Sequence, residues 1–263
     1  MTWMQLNTPI RDWRDRRVWI IGASSGIGAA LAETLLERGA RVALSARSER
    51  PLRAVSLVWP KALALTLDVC QPDDWQRAHD NVQAAWGGVD LVVFCAATYR
   101  PERIWEVRAD VALKTLATNV GGVYHGLQVV LPRLLAQGHG GLAILASVAG
   151  YTGLPGASVY GPTKAALINL AEGMYSELKP RGLDVYLVNP GFVQTRLTAL
   201  NEFDMPALLT PEQAALAIVQ GFERGRFEID FPRRFTFALQ LLRHLPYALR
   251  FALLRRTAQP RSS

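Results

Sequence analysis

Tyr160 and Lys164 stand four residues apart in the run VYGPTK at 159–164. On a helix that spacing sets both side chains on one face, one turn apart. Packing alone has no use for a phenol beside an ammonium group. Acid–base chemistry does: a phenol has an ordinary pKa of about 10 and is a poor base at neutral pH, and a nearby positive charge stabilises its phenolate. Pro162 falls between the two residues. It is tolerable if the helix begins only a few residues earlier, because the first turn has no intrahelical use for the missing N–H.

A second group with chemical meaning follows the first apolar run. RVWII (17–21) leads directly into Gly22, Ala23, Ser24, Ser25, Gly26, Ile27 and Gly28, and then into the helical pattern AALAETLLERG. Glycines at such a junction permit a tight turn and let a phosphate approach backbone N–H groups at a helix N-terminus, where the dipole favours negative charge. The trio by itself is weak; its place between a strand and a helix makes it a dinucleotide signal. The second apolar run ends in Ser45-Ala46-Arg47, where a site for NAD would want a carboxylate for the ribose 2′-OH. A guanidinium suits a 2′-phosphate, so NADP is expected ahead of NAD. Arg47 as a solvated surface residue is the other reading. Asp68, after the third run, either meets the adenine edge or caps the next segment.

These groups need a frame to hold them. RVWII (17–21), RVALS (41–45), ALALT (62–66), DLVVF (90–94), GLAILA (141–146) and DVYLV (184–188) are continuous apolar runs, as strands covered on both faces should be. Helical patterns lie near 26–38, 73–86, 109–135, 158–180 and 211–223, with proline in the first turn after Gln71 and Thr210. The alternation predicts an α/β fold, a doubly wound parallel sheet of the Rossmann kind with helices on both faces, completed as a seventh strand by FEIDF (227–231). Residues 1–231 read as one catalytic and dinucleotide-binding domain, and 232–263 as a C-terminal extension.

Composition narrows the function classes. Cys70 and Cys95 are too few for a disulfide framework, which points to a reducing cytoplasm, and residues 1–16 read as an exposed lead-in with no signal peptide. The four histidines show no metal-ligand spacing, and no metal is expected. The net charge of +7 suggests nucleic acid only until it is located. Residues 1–223 carry 20 basic and 20 acidic side chains; residues 224–263 carry nine arginines against two acids. A body of balanced charge with a basic tail is no nucleic-acid footprint, and the tail needs a local explanation.

The series GASSGIG at 22–28, Asp68-Val69, Asn119, Ser147, Tyr160 with Lys164, and Asn189-Pro190-Gly191 with Thr195 resembles the short-chain dehydrogenase/reductase family over about residues 16–231. The resemblance implies an oxidoreductase in which Tyr160 exchanges a proton with the substrate oxygen while hydride moves to or from the nicotinamide. It implies further that Lys164 lowers the phenol and holds the nicotinamide ribose, that Ser147 hydrogen-bonds the substrate oxygen, and that Asn119 fixes a water leading protons to Lys164. Val69, the stretch Cys95-Ala96-Ala97, and Pro190, Gly191, Val193 and Thr195 would border the cofactor, with Phe192 and Val193 near the ring. Two departures stand out: Ile21 precedes the first glycine where threonine is usual, and Phe94-Cys95-Ala96-Ala97 replaces Asn-Asn-Ala-Gly, removing a side-chain tie to the sheet. Cys95 reads as a small buried hydrophobe. The resemblance also implies a homodimer or homotetramer through 109–135 and 158–180.

The segment LTALNEFDMPALL (197–209), with Phe203 and Met205, together with Tyr151, Leu154 and Pro155, favours an apolar small-molecule substrate. The tail PRRFTFALQLLRHLPYALRFALLRR (232–256) should form two short helices broken at Pro246, with Thr236, Gln240, Arg243, Tyr247 and Arg250 as a narrow polar stripe on an apolar surface. A spanning helix is disfavoured by Arg243 and Arg250. Peripheral contact with the inner face of a membrane, and a flap over a partner subunit or the substrate mouth, are the two readings of the tail. An NADP-dependent enzyme is the leading function. A redox-inert NADP-binding protein anchored by its tail is the alternative.

Overall fold

The computed structural model describes residues 5–201 and 205–258. Its single sheet contains β1 (Arg17–Ile21), β2 (Arg41–Ala46), β3 (Ala62–Thr66), β4 (Leu91–Phe94), β5 (Gly140–Leu145), β6 (Leu183–Pro190) and β7 (Glu228–Phe231). The spatial order is β3-β2-β1-β4-β5-β6-β7 and every pairing is parallel. This is the doubly wound α/β sheet expected. The order reverses between β1 and β4, and in such sheets ligands bind beyond the carboxyl ends of the strands at that crevice.

The continuous apolar runs follow from two cores. Val18 and Ile20 of β1 point into one, packed by α1 (Gly26–Glu37), α2 (Glu49–Val58) and α7 (Pro211–Glu223). Trp19 and Ile21 point into the other, against α3 (Pro72–Trp86), α5 (Gly122–Gln137) and α6 (Tyr160–Leu178). With alternate residues buried on opposite faces, no position in the strand is left for a polar side chain unless it finds a partner. Ser45 does: its Oγ accepts from the buried Trp19 indole N–H at 2.8 Å.

Four local features depart from expectation. Helix α2 was not anticipated, because its apolar stripe is short: Leu52 is buried and Val55 packs beside it against the core. The pattern at 109–135 is not one helix: α4 (Ala109–Leu116) passes through a π turn at Ala117–Gly121 into α5. The lead-in at 1–16 is anchored where it is described. Asn7 and Trp13 are buried; Asn7 Nδ2 donates to Val185 O at 2.7 Å and Val185 N–H returns to Asn7 Oδ1 at 3.3 Å. Strand β7 pairs with β6 only from Leu187 onward, so the Asn7 amide takes the place of a strand neighbour at Val185.

The tail is the fourth. It forms α8 (Arg233–His244) and α9 (Tyr247–Ala258), interrupted at Pro246 as expected. Its polar stripe, however, is largely turned toward the body. Thr236 is fully buried and donates to Asp230, while Gln240 Nε2 donates to Tyr151 Oη at 3.3 Å and to Glu228 Oε1 at 3.4 Å. Arg250 reaches Thr152 Oγ1 at 3.3 Å and lies 4.4 Å from the centre of the Tyr247 ring. Among the described residues no helix is long and apolar enough to cross a membrane.

Candidate active site

The turn after β1 is shaped by what its glycines leave out. Gly22 has φ +94°, and a methyl group there would meet Ala96 N at 2.6 Å; a methyl at Gly28 would meet Gly22 O at 2.3 Å. Only glycine lets the turn lie this close to the end of β4 and to its own helix. Gly26, at φ +59°, leaves 3.0 Å to Thr195 Cγ2 from where its methyl would stand, so the loop after β6 closes over the start of α1. Ser25 precedes α1 without using its side chain to cap the helix. The first-turn N–H groups and the dipole of a 12-residue helix therefore stand at a turn whose three glycines carry no side chain. This cradle fits a pyrophosphate. Ser24 and Ile27 line the same turn, and β2 is tied in by Gly22 N–H and Ala23 N–H to Ser45 O at 2.7 and 3.0 Å.

Around the cradle the remaining candidates fall into place or do not. Arg47 is exposed at the end of β2 and pairs with no carboxylate among the described residues. Asp68 turns back on its own loop ahead of α3, where its Oδ1 accepts from Cys70 N–H at 3.0 Å. Val69 is buried against Gly122 of α5, and Val193 in the core with α7. Phe192 packs on Phe235 of α8 with ring centres 5.6 Å apart. Cys95 follows β4, and burial pushes its thiol up to about 12, which removes it as a nucleophile at neutral pH. Ala96 lies against Gly22, Ala97 follows, and Pro190 and Gly191 end β6, with Gly191 N–H bonded to Phe231 O at 2.7 Å.

Tyr160 is the first residue of α6, and Lys164 lies one turn later with only 3% of its surface exposed. Pro162 is thus in the first turn, where its missing N–H costs no helical bond. Lys164 Nζ donates to Leu145 O, the end of β5, at 2.8 Å and lies 5.4 Å from the centre of the Tyr160 ring. Ser147 is two residues past β5. Its Oγ accepts from Ala149 N–H at 3.1 Å and stands 3.5 Å from Pro190 O, and the hydroxyl is near enough to Tyr160 to favour its phenolate. A single hydroxyl proton serves one acceptor at a time.

The protonation states run against the expectation that Lys164 lowers the phenol. Burial pushes Tyr160 up to about 12, the Ser147 hydrogen bond works against that rise, and the neighbouring Tyr99 adds to it. Burial also brings Lys164 down to about 8. The reason is geometric: the ammonium is bonded to a strand carbonyl and sits over the ring, while both groups have lost water. Among the chain's own groups Tyr160 is therefore a neutral phenol, a proton donor rather than a base.

Asn119 ties together the frame of the site. It is fully buried in the π turn, and its amide is committed: Oδ1 accepts from Thr98 N–H at 2.7 Å, and Nδ2 donates to Thr98 O at 2.9 Å and Thr163 Oγ1 at 3.1 Å. No amide hydrogen is left to orient a water. Thr163 Oγ1 in turn donates to Tyr160 O at 2.7 Å. A chain of hydrogen bonds thus runs from the loop after β4 to the start of α6, supplying from α4–α5 the tie that Phe94-Cys95 lacks.

Two residues in this neighbourhood carried no sequence signal. Tyr99 stacks edge-on against Tyr160 at 4.9 Å between centres and donates to Asn201 Oδ1 at 2.7 Å, and Asn201 Nδ2 reaches Met205 Sδ at 3.3 Å. Glu228 gathers Tyr151 Oη at 2.6 Å and Asn189 Nδ2 at 2.7 Å. Tyr151 therefore belongs to the joint between tail and sheet and not to an apolar substrate wall. Leu154 and Pro155 line a cleft of about 400 Å³ with Ile104, Trp105, Phe251 and Leu254. Phe203 lies outside the described residues.

A family model described as short chain dehydrogenase matches residues 16–204. An uncharacterized oxidoreductase of Myxococcus xanthus (strain DK1622) is 33% identical over 249 residues, covering 92% of this chain and 97% of the relative. Among solved structures, a short chain dehydrogenase from Burkholderia cenocepacia J2315 in complex with NADP is similar with a TM-score of 0.80 and 25% identity, over 95% of this chain and 100% of that one. A short-chain dehydrogenase from Streptomyces avermitilis has a TM-score of 0.76 at 24% identity, over 92% and 95%, and speaks for the fold alone.

Proposed function

We propose that this chain, which belongs to the short-chain dehydrogenase/reductase family and is an NAD(P)-dependent oxidoreductase, uses NADP(H) to interconvert a carbonyl and a secondary alcohol on an apolar small molecule. The observation that carries the reading is the meeting of Ser147, Tyr160 and Lys164 beside a glycine cradle at the carboxyl end of the sheet. The bound nicotinamide supplies or accepts the hydride. Tyr160 holds the transferable proton on its phenol oxygen, and its raised pKa keeps the phenol protonated at neutral pH, the form that can donate to a carbonyl oxygen. Ser147 steadies that oxygen by a hydrogen bond, since its hydroxyl is free to turn from Pro190 O. Lys164 is the candidate partner for the nicotinamide ribose. Asn119 is a positioning residue, acting through Thr98 and Thr163 on the placement of Tyr160.

The preference for NADP rests on Arg47, and the Burkholderia relative with bound NADP supports it. Gly22, Ser24, Ser25, Gly26, Ile27 and Gly28 would hold the pyrophosphate, with Thr195 closing from above. The apolar substrate class rests on Tyr99 beside the reacting phenol and on the cleft at Leu154 and Pro155. Pairing of two or more copies through α4, α5 and α6 is supported by Leu113, Leu116 and Tyr124, exposed along one side of α4–α5. The test is turnover of a panel of hydrophobic ketones, aldehydes and secondary alcohols with NADPH and NADP⁺. Wild-type turnover that is lost in Tyr160→Phe is expected. Equal turnover by the two proteins overturns the assignment of the proton donor, and wild-type protein that binds NADPH without reducing any substrate would favour a redox-inert role.

A further inference from the structure

A polar stripe facing inward leaves an apolar face outward, and that inversion is the property of the tail that packing does not explain. Thr236, Gln240 and Arg250 are spent on Asp230, Glu228, Tyr151 and Thr152, and Phe235 and Leu239 pack on the core of the sheet. On the opposite side Phe237 is 65% exposed, Leu241 57%, Leu249 57% and Leu253 44%. The surface does not stop at the tail. Phe251 and Leu254 of α9 border the same cleft as Ile104 and Trp105, which are themselves exposed on the body. An apolar surface this continuous on a soluble face marks an interaction site.

We propose that the outer face of α8 and α9 docks on an anionic lipid bilayer. Charge selects this occupant. Residues 232–258 contain six arginines and no acidic residue, and Arg233, Arg234, Arg243 and Arg255 are exposed beside the apolar side chains. Exposed apolar residues flanked by arginine match the boundary between acyl chains and anionic headgroups. A second copy of this chain is a poorer match, because a two-fold contact through the same face brings arginines toward arginines with no carboxylate to separate them. The helices are held for the purpose: the inward hydrogen bonds fix which side of α8 faces out, so the apolar face is presented by a rigid platform. Docking would place the cleft between α9 and the loops at 103–105 and 153–156 at the lipid boundary, on the side from which an apolar molecule arrives.

The full chain is sedimented with phosphatidylcholine vesicles, with and without phosphatidylserine, at low and high salt. Binding is expected with phosphatidylserine at low salt, and a loss of at least about tenfold when the anionic lipid is omitted or the salt is raised, since surface charges are screened. Two variants separate the contributions. Phe237→Ser with Leu241→Ser removes apolar contact, and Arg233→Gln with Arg234→Gln and Arg243→Gln removes charge; each is expected to weaken binding to anionic vesicles by about tenfold or more. All these positions are exposed, and an unchanged melting temperature certifies each variant. Wild-type chain that stays in the supernatant with anionic vesicles, or binding unaltered in both variants, overturns the proposal. So does a fall in the lipid-free mass of the Phe237→Ser, Leu241→Ser protein from oligomer to monomer, which would give the face to a second copy.

Discussion

At the amino ends of the strands, charged side chains meet charged partners. Arg17 at the start of β1 is paired with Asp90 ahead of β4, Lys179 with Asp184 at the start of β6, and Arg41 at the start of β2 with Asp15. At the carboxyl ends of the same strands stand the glycine turn at 22–28, a buried lysine whose ammonium donates to a strand carbonyl, and an exposed arginine with no carboxylate partner among the described residues. Parallel strands make the division possible, because all their carboxyl ends gather at one edge. One edge is then free to satisfy itself and stabilise the fold, and the other keeps polar groups in reserve for a ligand. Polar groups matched to each other have little left to offer a substrate.

That contrast can be broken from either edge. The largest effect is expected for Tyr160→Phe, which should lower turnover roughly 10²–10⁴-fold while leaving the melting temperature nearly unchanged; steady-state kinetics and calorimetry on the same preparation check both halves. Asp90→Ala should do the reverse. Burial disfavours the Asp90 carboxylate, but its hydrogen bonds to Arg17 hold it below its ordinary pKa, and removing it strands the half-buried guanidinium. A loss of roughly 2–3 kcal/mol in denaturant unfolding is expected, with kinetic constants preserved. A fall in turnover without a fall in stability would mean the two edges are not separable.

Smaller effects sharpen the picture. Arg47→Ala should weaken NADPH about tenfold and leave NADH unaffected, on the scale of one charge-assisted hydrogen bond; titration by fluorescence decides it, and an equal change in both affinities would give Arg47 another role. Lys164 gives a signal of another kind, read against pH. Its pKa in the folded chain is about 8 against an ordinary 10.5. Between those values the unfolded chain binds more protons than the folded one, so the lysine's contribution to stability improves as pH rises through that window. Unfolding of wild type and Lys164→Met, compared from pH 8 to 10.5, should move in favour of wild type. A difference independent of pH would mean that burial does not depress the lysine.

What could be read from the chain varied with how local the cause was. The strands, the glycine turn and the helix pair at Tyr160 and Lys164 are written in runs of neighbouring residues, and each lies where its pattern placed it. Helix α2 escaped because its stripe, Leu52 with Val55, is only about one turn long. The side-chain partners of Asn119 could not be read, because Thr98 and Thr163 are 21 and 44 residues away along the chain. Tyr99 was silent for the same reason: nothing beside it in sequence marks a ring that will stack on the phenol of a distant helix. The lead-in read as exposed, and only the fold brings Asn7 to a stretch of β6 that β7 does not reach.

The sequence by itself determined the fold class, the phosphate-shaped turn and the order of the motifs, because apolar period, glycine and proline act within a few residues of where they are written. It also marked a polar stripe along the tail. Only the tertiary structure decided which way that stripe points, since periodicity defines the faces of a helix and not the direction in which it docks. Asp230, Glu228 and Tyr151 offered the stripe hydrogen bonds out of water, and an unpaired polar group buried at that joint would have been costlier than leaving leucine and phenylalanine exposed. The protonation of Tyr160 was decided in the same way: spacing brought an ammonium near the phenol, but burial, which no spacing records, set the sign of the shift.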